Sequence, residues 1–142
     1  MLAAINATQV RKEWSTVVDS VVRHKPAFIK RTRDYMMLSN VDIIEKMLEV
    51  YKFHAELIVE SNGSVTISLD EIDLIENGVD EQDAINKIAH GILDYAEDYY
   101  NDFAYWYAAP NRKAHLPYVM KALILGDVKK IGGLVECRHG WN

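Results

Sequence analysis

At 142 residues, with 49% hydrophobic and 26% charged side chains, the chain has the composition of a folded protein and room for one ordinary domain or two small ones. No apolar run approaches the roughly 20 residues needed to cross a bilayer, and the N-terminus lacks the basic, apolar and small-residue succession of a secretory signal. The single cysteine, Cys137, excludes an intrachain disulfide, so a reducing, cytoplasmic setting is expected.

The net charge of −5 is unevenly distributed. Residues 1–54 carry nine Lys/Arg against six Asp/Glu, whereas residues 55–110 carry only Lys87 against thirteen acids. Residues 111–142 return to six bases against two acids. A basic module joined to an acidic one predicts two surfaces with different partners.

Met1 to Asn6 is a short apolar stretch that reads as a strand. Thr8 is placed to cap a helix on which Val10, Trp14, Val17, Val18, Val21 and Val22 recur at three- and four-residue steps. His24-Lys25-Pro26 ends it, because proline has no N–H and clashes with the preceding turn. Two strands are predicted next, Ala27 to Thr32 and Tyr35 to Leu38, with the turn at Arg33-Asp34. Ser39 is placed as the next N-cap, and Ile43, Ile44, Met47, Leu48 and Tyr51 supply that helix's apolar stripe. A β-α-β-β-α module of about fifty residues has a small core, so pairing with a second copy is expected.

The run Asn6-Ala7-Thr8-Gln9-Val10-Arg11, then Pro26, Ile29 and Arg31, then Leu38-Ser39 before a helix, resembles the N-terminal domain of the Phd/YefM antitoxins. The resemblance covers about residues 1–52. It implies a homodimer that binds operator DNA and represses its own operon, and a toxin as protein partner. The family's DNA-contacting arginines fall on Arg11 and Arg31. Lys12, Lys30 and Arg33 would extend the basic surface, although each could equally be an ordinary solvated charge. A guanidinium near the N-terminus of a helix can add a bidentate contact to a phosphate or a guanine edge. The Thr32-Arg33-Asp34-Tyr35 connection has no glycine, where family members commonly carry one.

The remainder, residues 55–142, is expected to be a small acidic, aromatic-rich α+β domain. Ala55 to Glu60 and Val65 to Leu69 flank Ser61-Asn62-Gly63-Ser64, a strong hairpin signal, and Leu74-Ile75 could begin a third short strand. Asp80 is placed to cap the longest helix, which Ile85, Ile88, Ile92, Ala96 and Tyr99 continue until Pro110-Asn111. A last helix is predicted from His115 to Leu125, stopped by Gly126, with short helix or coil after Lys129. The hairpin, short strand and acid-capped helix faintly resemble the HicB-like antitoxin domain. The dense aromatics suit either core packing or a partner surface, the latter built on Tyr99, Tyr100, Trp106 and Tyr107 and facing a basic toxin. Asp70, Glu71 and Asp73 read as turn residues, and His24, His54 and His90 as packing or surface positions.

No metal site, cofactor motif or catalytic constellation is evident. Cys137-Arg138-His139 lacks the further ligands a tetrahedral site needs, and no phosphate loop or nucleophile elbow occurs. The resemblance implies an antitoxin repressor, and the residues offer no case for an enzyme. A stand-alone regulator with an oligomerising or sensing C-terminal domain, or an interaction protein that has lost DNA binding, is the alternative.

Overall fold

The computed structural model describes residues 3–140. The chain is α+β, with two mixed sheets, and divides into two compact units, residues 1–47 and 48–142. None of the described helices is long and apolar enough to cross a membrane.

In the first unit the order is β1 (Ile5–Asn6), α1 (Ala7–Lys12), α2 (Trp14–Arg23), β2 (Ala27–Arg31), β3 (Asp34–Leu38) and α3 (Val41–Met47). Met1 and Leu2 of the expected first strand lie outside the described residues. The helix cap is Asn6 rather than Thr8, since the Asn6 side chain accepts from Thr8 N–H at 2.8 Å. The single expected helix is broken at Glu13, whose φ of −115° and ψ of 34° are not helical. The break turns Trp14 outward, 54% exposed, although its spacing placed it on the apolar stripe. Asn40 rather than Ser39 caps α3, accepting from Asp42 N–H at 2.8 Å. The sheet order is β1-β2-β3, with β1 parallel to β2 and β2 antiparallel to β3. Thr32 makes the β2–β3 turn at φ 56°, a left-handed conformation that costs a β-branched residue energy and that glycine adopts freely.

The first unit's core is thin. Val10, Val17, Val21 and Ile29 are buried, with Ala7, Ala27 and Leu38 packed against them. α3 contributes no buried residue, and Tyr35, Met36, Met37, Val41 and Met47 are exposed.

The second unit runs β4 (Phe53–Val59), β5 (Val65–Leu69), β6 (Ile75–Gly78), α4 (Glu81–Asn101), α5 (Phe103–Ala108), a 3-10 turn at Lys113–His115, α6 (Leu116–Leu125), α7 (Val128–Gly133) and β7 (Val135–His139). The sheet order is β6-β5-β4-β7, with β4–β5–β6 antiparallel and β7 parallel to β4. α7 supplies the short helix expected near Lys129, but Val135–His139 form the strand β7, which was not expected: two of its five residues are charged, and as an edge strand it needs burial on one face only.

The β4–β5 hairpin turns as Asn62-Gly63 predicts, but only Gly63 takes a positive φ, 87°. Glu60 O accepts from Gly63 N–H, and the Asn62 side chain accepts from Ser64 N–H, so the loop is a type I turn closed by a left-handed glycine. Alternation on β4 and β5 sends Phe53, Ala55, Leu57, Val65, Ile67 and Leu69 inward. There they meet Ala84, Ile88, Ala89, Ile92, Ala96 and Tyr99 of α4, with Val119, Ala122 and Ile131 closing the core.

The boundary between the units lies upstream of the expected 54/55. Phe53 is fully buried in the second core, and Lys121 Nζ donates to the carbonyl oxygens of Leu48 and Tyr51. Tyr51 also packs edge-on against Tyr118, with ring centroids 5.6 Å apart. Those contacts draw residues 48–51 out of the helix their spacing suggested. Asp80 caps α4 as predicted, accepting from Asp83 N–H at 2.8 Å, while Gly126 ends α6 at φ 59°.

Candidate functional site

In the first unit the five basic candidates Arg11, Lys12, Lys30, Arg31 and Arg33 are all exposed. Arg11 and Lys12 occupy the last turn of the six-residue α1, not its first. The helix-dipole argument for a phosphate at Arg11 therefore fails, because cations in the last turn serve the helix's own C-terminus. Arg11 instead rims a shallow apolar depression with Ala7, Val10, Trp14, Ile29 and Met36.

Strand alternation separates Lys30 from Arg31. Arg31 follows Ile29 on the helix-covered face of β2, and so shares a face with Arg11. Lys30 points to the opposite face, where its ammonium lies 5.4 Å from the Tyr35 ring centroid. Arg33 sits in the turn beyond. The structure thus brings Arg11 and Arg31 to one side of the sheet and puts Lys30 on the other.

In the second unit the aromatic candidates divide as well. Tyr99 has no exposed surface, and its hydroxyl donates to Arg112 O at 2.7 Å. It is a core residue and is withdrawn as a partner contact. Trp106 is half-buried, stacked on Tyr99 at 6.2 Å and edge-on to Tyr95 at 5.6 Å, so it is chiefly a packing residue. Tyr100 is 60% exposed and Tyr105, which was not among the candidates, 62%. Tyr107 is partly exposed, stacked on Phe103 at 5.2 Å, with Lys113 Nζ 5.0 Å above it. The bend at Asp102, where the long predicted helix is interrupted, causes this division: α5 leaves the line of α4 and carries its outer rings into solvent.

The acidic loop between β5 and β6 does more than turn the chain. Asp70 takes a bidentate pair from Arg138 at 2.7 and 3.0 Å, Glu71 contacts His54 Nδ1 at 3.0 Å, and Asp73 accepts from Arg112 at 2.7 Å. His54 Nε2 also lies 3.2 Å from Glu136, so His54 is a partnered residue and not a simple surface one. The Arg138 hydrogen bonds hold Asp70 below the usual carboxylate range. These partners lie 17 to 68 residues apart in sequence and could not be paired by spacing. Among the described residues no group of His, Cys, Asp and Glu is arranged to hold a metal ion.

His115 is 6% exposed, and its Nδ1 lies 2.7 Å from the Tyr95 hydroxyl. Burial lowers its pKa, with the nearby Arg112 charge adding to the effect and Asp73 opposing it. A folded-state value below the ordinary 6.5 means that the unfolded chain binds the proton first. The contribution of neutral His115 to the second unit's stability should be full above about pH 6.5 and be lost progressively as the pH falls below that value. His115→Gln should flatten this limb in urea titrations at pH 7.5 and 5.5; an unchanged difference between the two pH values would remove His115 as its cause.

A family model described as PHD-like, antitoxin of RelE/RelB toxin–antitoxin systems, matches residues 1–137. The crystal structure of the antitoxin part of a proposed toxin/antitoxin system from Syntrophomonas wolfei subsp. wolfei is similar throughout. It is 40% identical, covers 98% of this chain and 100% of its own, and superposes with a TM-score of 0.93. No curated protein matches the chain.

Proposed function

Because the chain belongs to the PHD-like antitoxin family of RelE/RelB toxin–antitoxin systems, we propose that it works as a Phd/YefM-type repressor. In this reading its first unit dimerises and binds operator DNA, and its second unit engages the toxin. Antitoxin identity follows from the family; the division of labour is the proposal.

The observation that carries the DNA-binding half is the exposure of Arg11 and Arg31 on one face of the small sheet. In a dimer each would appear twice, giving four guanidinium groups for phosphates and base edges. The thin core supports the dimer. Four buried apolar side chains among the described residues are few for a unit of this length, and the exposed Tyr35, Met36, Met37, Val41 and Met47 offer the surface a second copy would cover. For the toxin, the exposed Tyr100 and Tyr107 supply interface-type side chains beside a strongly acidic helix.

Gel-shift titration with DNA from the protein's own promoter tests the assignment. Arg11→Ala and Arg31→Ala should each weaken binding by about 1–3 kcal/mol and lower the salt slope by about one, with the dimer preserved. Wild-type affinity in both variants would sink the DNA contact.

A further inference from the structure

The fold pairs some acids of the second unit and not others, a difference that composition alone does not show. Glu56, Asp70, Glu71, Asp73, Glu81, Asp83 and Glu136 each lie within ion-pair distance of a cation or histidine of the same chain. Asp94, Glu97, Asp98 and Asp102 have no ion pair among the described residues and are all exposed. Asp94, Glu97 and Asp98 follow at steps of three and four, so they share the outward face of α4, with Tyr100 one step beyond Glu97.

The position of these acids is unfavourable by itself. The C-terminus of a helix carries partial negative charge and prefers cations, yet the last turn of α4 holds no base. Directly after it, α5 is a six-residue helix, Phe-Ala-Tyr-Trp-Tyr-Ala, with no buried residue. Phe103, Tyr105 and Tyr107 are all exposed there. The chain already places its own cations over neighbouring rings of this cluster: Arg112 lies 6.0 Å from the Tyr95 centroid and Lys113 5.0 Å from Tyr107. No described cation lies over Tyr100 or Tyr105.

We infer that the outer face of α5 and the end of α4 form a docking surface for an arginine-rich segment of the partner protein. Guanidinium groups stack on Tyr100 and Tyr105 and pair with Asp98, Asp102 and their acidic neighbours. Arginine fits better than lysine, because its planar fork can stack on a ring and still bond a carboxylate in two places, whereas an ammonium is a compact, strongly hydrated point charge. The inference rests on the antitoxin reading for the partner's identity, but its chemistry can be tested without that partner.

Fluorescence anisotropy of labelled nona-arginine and nona-lysine peptides with the full chain is the measurement. Nona-arginine should bind about ten-fold more tightly. Asp98→Asn/Asp102→Asn should weaken it about ten-fold and Tyr100→Ala/Tyr105→Ala about five-fold. The charge-matched control Glu76→Gln/Glu81→Gln, on β6 and in the first turn of α4, should change it less than two-fold. Equal affinity for both peptides, or an equal loss in the control, would overturn the inference. Capture of the cognate toxin separates the two claims. If wild type and Asp98→Asn/Asp102→Asn capture it equally, the docking surface is wrong and the antitoxin reading stands. If wild type captures none, the toxin-binding reading falls, and the peptide preference is judged on its own result.

Discussion

Tyr99→Ala is expected to lower the stability of the second unit by about 3–5 kcal/mol, the usual cost of deleting a large buried ring. The ring is fully buried and touches Tyr95, Phe103 and Trp106, with centroids 5.8 to 6.2 Å away. Its hydroxyl ties α4 to Arg112 O, so Tyr99→Phe should cost about 1 kcal/mol by leaving that carbonyl without its donor. Tyr100→Ala, one residue along and 60% exposed, should change stability by less than about 0.5 kcal/mol. Hydrogen exchange of the α4 amides reads the second unit alone and separates the three variants. Near-wild-type protection in Tyr99→Ala would contradict the assignment of Tyr99 to the core. The contrast also guards the interpretation of toxin-binding data, since a Tyr99 variant that loses its partner does so by losing α4.

Gly78→Ala should be the most damaging small substitution. A Cβ at Gly78 would lie 2.3 Å from Ala84 N and 2.8 Å from its Cα, and neither backbone atom can swing aside. β6 ends where α4 begins, and the strand reaches the helix only because residue 78 has no side chain. A methyl group would push the Asp80 cap and the first turn of α4 away from β6, a cost of about 3 kcal/mol. Gly133→Ala is the control: nothing lies within 4 Å of its would-be Cβ, and as the last residue of α7 it should be neutral or slightly stabilising. Urea midpoints followed by far-UV circular dichroism compare the two, and equal midpoints would show that β6 can move away from α4 at no cost.

The local elements were largely legible in the sequence because local rules set them. Asp80 with its acidic first turn, Gly63 after Asn62, and Gly126 after an apolar run are short-range signals, and each sits where it was expected. Alternation on Val65, Ile67 and Leu69 and helical spacing through Ile88, Ile92 and Ala96 identified the second core. The strand Val135–His139 escaped notice because an edge strand carries little apolar signal and its pairing with β4 spans some eighty residues.

The candidate surfaces were less legible. Composition and the N-terminal run pointed to an antitoxin with a basic first module and an acidic, aromatic second one, and the family match bears out the antitoxin. Which rings face outward was beyond spacing, because the bend at Asp102 resets the helical phase between Tyr100 and Tyr105. Which acids are free was decided by partners distant in sequence: Arg138 and Arg112 neutralise Asp70 and Asp73 and leave Asp94 to Asp102 unmatched. Charge is a property of residues, but exposure and pairing are properties of the folded chain. The sequence determined that this protein has a basic first module and an acidic stretch behind it; only tertiary contacts decided which charges and rings remain for a partner to meet.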